Sequence, residues 1–147
     1  MTSPAGSGDV PSGDGSAVLP IAIAYEAENA VLGGAASPSY CKLCTGASKA
    51  GNLGNGSATV TFTNITVPAD GTYQLEIDYL TSGQRSFFMS VNAAVAAELP
   101  LNGSTFDHPA TTVVVVKLHA GENTIEFSNS SQYAPDLDRI VIAPCAG

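Results

Sequence analysis

From residue 57 to residue 142 the chain runs in short segments of alternating apolar and polar residues, set apart by Gly, Pro, Asp and Asn, with no helical stretch among them. Alternation puts successive side chains on opposite faces of a pleated strand, so each segment has one face to bury and one to hydrate. The clearest case is residues 72–79. Tyr73, Leu75, Ile77 and Tyr79 face one way; Gln74, Glu76 and Asp78 face the other. Further strands are expected over 21–28, 57–63, 86–92, 95–99, 111–118, 124–128 and 137–142, with turns at 67–71 and 119–123 and polar loops at 81–85, 102–109 and 129–135. Seven or eight short strands at turn-marked intervals predict an all-β domain, a β-sandwich jelly roll of antiparallel strands. A chain of 147 residues suffices for one such domain with a real core.

Charge narrows the partners. The formal net charge is −8 with only five Lys plus Arg, which argues against nucleic acid and against an anionic membrane surface. No apolar run approaches the length of a membrane span. Residues 1–19 are Ser, Gly, Pro, Asp and Ala with hardly an apolar anchor, and read as a flexible linker before a module at 20–147. The opening Met1-Thr-Ser-Pro-Ala5 has neither a basic region nor an apolar one behind it. A mature secreted domain with an added Met looks like this, and so does a cytosolic protein.

The chemistry concentrates in three places. Tyr133-Ala-Pro-Asp-Leu-Asp138 carries two carboxylates with different addresses, Asp136 in a loop beside an aromatic ring and Asp138 at the head of the last strand. A ring plus an acceptor suits a polar, ring-shaped ligand, and a carboxylate fixed by a strand suits a hard cation. On the first strand Glu26 and Glu28 stand two apart and therefore on one face, where like charges repel, so the pair is either solvent-exposed or holds a cation. The stretch 29–55 is long and aperiodic, rich in Gly, and contains Tyr40 and a Cys41-Lys-Leu-Cys44 motif. Zinc lacks a fourth ligand at a matching spacing, and a thioredoxin-type motif needs a helix that is absent here. A local disulfide between Cys41 and Cys44 is expected. That leaves Cys145 over, with its pairing to either of the two, or to another chain, open.

Taken in order, several pieces resemble carbohydrate-binding module family 35, a near relative of family 6. They are Tyr25-Glu-Ala-Glu28, Ser48-Lys-Ala-Gly-Asn-Leu-Gly-Asn-Gly56, Val67-Pro-Ala-Asp-Gly-Thr-Tyr73, Ser90-Val-Asn92, Leu118-His-Ala-Gly-Glu-Asn-Thr-Ile125 and Ala134-Pro-Asp-Leu-Asp-Arg-Ile140. The resemblance implies a non-catalytic, galactose-binding-like sandwich, secreted, monomeric and tethered to a glycoside hydrolase that it targets to polysaccharide. It implies a structural Ca²⁺ held by Glu26, Glu28, Asp138 and the backbone carbonyl of Lys49. It places the sugar in loops at one end of the sandwich, with Tyr133 as stacking platform and Asp136 as acceptor, and Asn52, Arg85 and Tyr40 beside them. Many relatives carry Trp where this chain has Tyr133, and the smaller platform suits one terminal sugar. The Cys41/Cys44 pair is similar to that of modules attached to α-galactosidases, which makes galactose the first choice, with uronic acid or mannan as alternatives.

Two other classes compete. A glycosidase would need two carboxylates roughly 5–9.5 Å apart across a cleft, for which only Asp107 and Asp136 offer themselves. A structural or adhesive sandwich would use the same fold without sugar. Four N-x-S/T sequons, at Asn55, Asn64, Asn102 and Asn129, are candidate glycosylation acceptors.

Overall fold

The computed structural model describes residues 22–145. The stretch read as a linker, residues 1–19, and Ile21 of the expected first strand lie outside them. Among the described residues nine strands form a single antiparallel hydrogen-bonded network: β1 (Ile23–Glu26), β2 (Val31–Gly33), β3 (Ser37–Tyr40), β4 (Ser48–Gly51), β5 (Thr59–Val67), β6 (Gly71–Val91), β7 (Ala97–Leu118), β8 (Gly121–Ser128) and β9 (Asp136–Pro144). The fold is the expected β-sandwich.

Two strands are far longer than the sequence pattern suggests, and they belong to both layers. The first half of β6 pairs with β9 and with the C-terminal part of β7. Its second half pairs with β8, through Phe88 to Val91 against Ser128 to Ile125, and with the N-terminal part of β7. One layer is completed by β1, β4 and β3 beyond β9; the other by β5 and β2 beyond β8. Residues 81–85, expected as a polar loop, are therefore strand, with Thr81 opposite Thr105 and Arg85 opposite Leu101. All of 102–109 is strand as well. Their polar alternation carried no apolar face to reveal them. Their partner is each other, and backbone pairing needs no particular side chain.

The true irregularity is narrower. Between Tyr79↔Ala110 and Thr81↔Thr105, four residues of β7, Phe106 to Pro109, stand against Leu80 alone. An extended bulge of this kind bends a strand and re-aims its side chains; here Asp107 and His108 are exposed while Phe106 packs against Cys41, Cys44 and Leu80.

Between the layers, Tyr73, Leu75, Ile77 and Tyr79 of β6 meet Ile140 and Ile142 of β9, and Phe62, Phe87 and Phe127 from the other layer complete one contiguous core. Phe127 packs edge-to-face against both Phe62, at 6.0 Å, and Phe87, at 5.1 Å. On the outer side of β6, Asp78 accepts from Arg139 Nε at 2.7 Å and from Thr111 Oγ1 at 2.9 Å, so the polar face of the clearest strand is tied across to its neighbours.

Candidate functional site

The first strand ends earlier than expected. β1 stops at Glu26, and Glu28 lies in a 3-10 turn, Ala27–Asn29. The two carboxylates still converge, by turn geometry and not by the two-residue period of a strand. Asp138 joins them through a second irregularity. Leu137 pairs with Tyr79 and Arg139 with Asp78, so Asp138 is an extra residue in β9 without a ladder partner on β6. This bulge lets Leu137 and Ile140 both face the core while Asp138 turns to the glutamates.

One ligand oxygen from each of Glu26, Glu28 and Asp138 lies within 4.8 Å of the other two. Thr45 completes the cluster from the far side. Its hydroxyl lies 2.7 and 2.8 Å from the Glu26 carboxylate oxygens and 3.0 Å from Asp138 Oδ1, and its amide donates to Asp138 Oδ2 at 3.2 Å. A glycine follows, and a Cβ on Gly46 would come within 3.2 Å of Glu28 Oε2. Burial, aided by the charges of Glu26 and Asp138, pushes the Glu28 carboxyl above its ordinary pKa. Burial likewise raises Asp138 against the opposing effect of the Thr45 hydrogen bonds. Glu28 Oε1 is buried and has no hydrogen-bond partner. Three crowded carboxylates, one of them with an orphaned oxygen, are the donor set a hard divalent cation requires.

The second feature is a cleft of about 390 Å³. One wall is β3 and β4, with Ser37, Lys49 and Asn52; the other is Arg85, Phe106, Tyr133 and Asp136. Lys49 Nζ forms an ion pair with Asp136 Oδ2 at 2.8 Å, with both side chains largely buried, at 10% and 14% exposure. The same ammonium donates to the Phe106 carbonyl at 3.0 Å. Arg85 donates to the Ala134 carbonyl at 3.2 Å and lies over two rings, 4.9 Å from the centroid of Phe106 and 5.7 Å from that of Tyr133. Tyr133 itself is 51% exposed, a ring fixed at one side and open at the other. Asn52, in a left-handed conformation with φ 57°, reaches Ser37 Oγ at 3.4 Å.

The loop bearing Tyr133 is set by its neighbour. Ala134 N donates to Leu53 O, Asn55 N to Gln132 O and Gly56 N to Asn129 O. Asn129 is buried, donates to the Ser86 carbonyl and accepts from the amides of Ser131 and Gln132. It is thus a loop-forming residue in the folded chain, whereas Asn55, Asn64 and Asn102 are exposed.

The structure thus brings Tyr133, Asp136, Asn52 and Arg85 together. Tyr40 lines an adjoining hollow instead. The Lys49 side chain belongs to the cleft, so only its backbone carbonyl remains for the metal role the resemblance implied. The Cys41–Cys44 disulfide is formed, and Cys145 is free. Sequence reasoning missed Thr45 and Phe106, whose partners lie far along the chain; only the isolated Phe between polar residues at 106 marked a site worth noting.

The model of the family 35 carbohydrate-binding modules matches residues 23–144. The chain belongs to that family. A family 35 carbohydrate-binding module from Clostridium thermocellum is 32% identical, with a TM-score of 0.80, over 82% of this chain and 98% of that one. The exo-β-1,3-galactanase of Phanerochaete chrysosporium solved with galactose is 28% identical, TM-score 0.77, over 83% of this chain and 29% of the enzyme. The Podospora anserina GH26-CBM35 β-(1,4)-mannanase is 25% identical, TM-score 0.74, over 86% and 28%. This chain therefore spans less than a third of either enzyme. No curated protein sequence matches it. Family 35 modules bind carbohydrate without catalysing its cleavage, and relatives are attached to glycoside hydrolases.

Proposed function

We propose that this chain is a Ca²⁺-stabilised module, residues 20–147, that binds a terminal galactose or a related sugar in the Tyr133 cleft and directs a linked, secreted glycoside hydrolase to its polysaccharide. The observation that carries the reading is the open Tyr133 ring beside the Lys49–Asp136 pair. A pyranose has an apolar face and a polar rim, and the cleft offers a ring for the first and fixed hydrogen-bonding groups for the second. Asp136 Oδ2 is engaged by Lys49, which leaves Oδ1 to accept from a hydroxyl. An ammonium has three donors; two are engaged, by Asp136 and the Phe106 carbonyl, and the third is left for a sugar oxygen. The ion pair thus supplies an acceptor and a donor side by side, matched to adjacent hydroxyls.

Galactose is supported by the single-ring platform and by the galactanase relative. A uronic acid is the second reading, because Arg85 forms no ion pair among the described residues and its guanidinium suits a carboxylate. Glu26, Glu28 and Asp138 would hold the Ca²⁺, whose charge would offset their mutual repulsion and satisfy Glu28 Oε1.

Calorimetric titration with galactose, mannose and glucuronic acid tests the reading. Saturable binding of one sugar, lost in Tyr133→Ala with the thermal midpoint retained, is the expected result. Arg85→Gln should weaken glucuronate far more than galactose if the ligand is a uronate. Undiminished binding in Tyr133→Ala would place the site elsewhere.

A further inference from the structure

The cleft does not end at Lys49 and Phe106. On their far side lies a second hollow of about 440 Å³, lined by Tyr40, the Cys41–Leu43 segment and Asp107. Lys49 and Phe106 line both spaces, so these two side chains form the ridge that the hollows share. Each is of the size of a small-ligand site, for which roughly 300 Å³ is the lower bound.

We infer that this hollow is a second sugar subsite, and that the ligand is a di- or oligosaccharide whose terminal residue fills the Tyr133 cleft while the next one crosses the Phe106–Lys49 ridge to lie against Tyr40. The inference rests on the sugar reading of the first cleft. Its own support is in the hollow's walls. Tyr40 is 75% exposed and Leu43 62% exposed, an aromatic and an apolar side chain held in water beside each other. They are not on a floppy segment. The Cys41–Cys44 disulfide closes the loop between them. Cys41 N donates to Ala47 O, Cys41 Sγ approaches the Asp107 carbonyl at 3.7 Å, and both cysteines are buried with Leu80. An exposed ring on a braced loop loses little further freedom when a ligand stacks on it, which is how a platform gains affinity. The polar complement is present too. The backbone amide of Asp107 is anchored to Thr105 Oγ1 at 2.9 Å, while its carboxylate is exposed and takes no hydrogen bond among the described residues, leaving it to accept from a hydroxyl. Phe106, in the bulge of β7, packs against the Cys41, Cys44 and Leu80 cluster and so fixes the apolar side of the ridge that both hollows share.

The test pairs each monosaccharide with its disaccharide. Wild-type protein, Tyr40→Ala and Asp107→Asn are titrated with galactose and β-1,3-galactobiose, then with mannose and β-1,4-mannobiose. In the pair that binds, the disaccharide should be about fivefold to tenfold tighter than the monosaccharide for wild type. Tyr40→Ala should erase that advantage and leave monosaccharide affinity unchanged, and Asp107→Asn should reduce it. A disaccharide no tighter than its monosaccharide, or a Tyr40→Ala loss equal for both, overturns the second subsite and leaves the first cleft standing. Absence of binding by every sugar overturns the first reading and the subsite with it. Tyr40 is outside the core, so unchanged thermal midpoints are expected and exclude a folding artefact.

Discussion

Single residues fix the cleft more than its walls do. Gly54 has φ 83°, and a Cβ there would come within 2.5 Å of the Gln132 carbonyl and 2.7 Å of the Ala134 amide. Both contacts are backbone, so neither can swing away. Gly54→Ala should therefore destabilise the fold by about 2–4 kcal/mol, from the left-handed penalty together with overpacking. It should also weaken sugar binding, since the segment that must move carries Tyr133. Denaturant melts and calorimetry together check this; an unperturbed melt would mean that the loop 129–135 does not depend on its neighbour. Asp138 acts in the opposite sense. In metal-free protein its carboxyl, like that of Glu28, titrates above its ordinary value because it is buried among like charges. A carboxylate whose folded pKa is raised favours the folded state while protonated. Its contribution is complete below the unfolded pKa and is lost as pH rises through the folded one. In EDTA, then, the melting temperature should rise as pH falls from neutral towards the ordinary carboxylate range. In excess Ca²⁺ the trend should reverse, because protons then compete with the cation. Asp138→Asn should raise the melting temperature in EDTA at pH 7 and remove the Ca²⁺ response. A Ca²⁺ response retained in that variant would remove Asp138 from the metal site.

At the scale of elements, β9 joins the two features. Asp136 faces Lys49 and the cleft, Asp138 faces Thr45 and the glutamates, and only Leu137 separates them. On the other side, the segment that carries Thr45 continues directly into β4 with Lys49. Metal binding would therefore fix both partners of the Lys49–Asp136 pair. Sugar affinity should fall about threefold to tenfold in EDTA although none of Glu26, Glu28 and Asp138 lines the cleft, and saturating sugar should tighten Ca²⁺ by the same factor. Equal sugar affinity with and without chelator would show the sites to be independent. Much of this segment was legible. The order of its polar and apolar residues marked β9 and separated Asp136 from Asp138, and Glu26 and Glu28 were visible as a close acidic pair. The bulge at Asp138 was not legible, because Leu-Asp-Arg-Ile reads as plain alternation until the core shows Leu137 and Ile140 on the same side. Thr45 was missed for a related reason. Its hydrogen bonds reach 19 residues back and 93 forward, and no local pattern encodes a partner at that distance. Lys49 was assigned through its carbonyl, and its ammonium found Asp136 only in three dimensions.

The whole molecule explains why a small acidic cluster should matter to all of it. β6 and β7 run through both layers, so the sandwich has no separable half. The acidic cluster draws on β1, the Thr45 turn and β9, all at one flank of the layer that β6 and β9 anchor. Without a cation, that flank is held against the repulsion of three carboxylates. With Ca²⁺ at about a hundred times its dissociation constant, mass action stabilises the folded state by about 2.7 kcal/mol, equivalent to roughly 10 °C for a domain of this size. Because the long strands join the layers, the gain should appear as a shift of one cooperative transition and not as a separate early melt of β1 and β3. Scanning calorimetry across a Ca²⁺ series checks both statements. The midpoint should climb with the logarithm of free Ca²⁺ once the site is saturated, and EDTA should return it to its starting value. Two resolved transitions in EDTA would mean that the flank unfolds by itself, and that the metal closes the sandwich instead of merely tightening it.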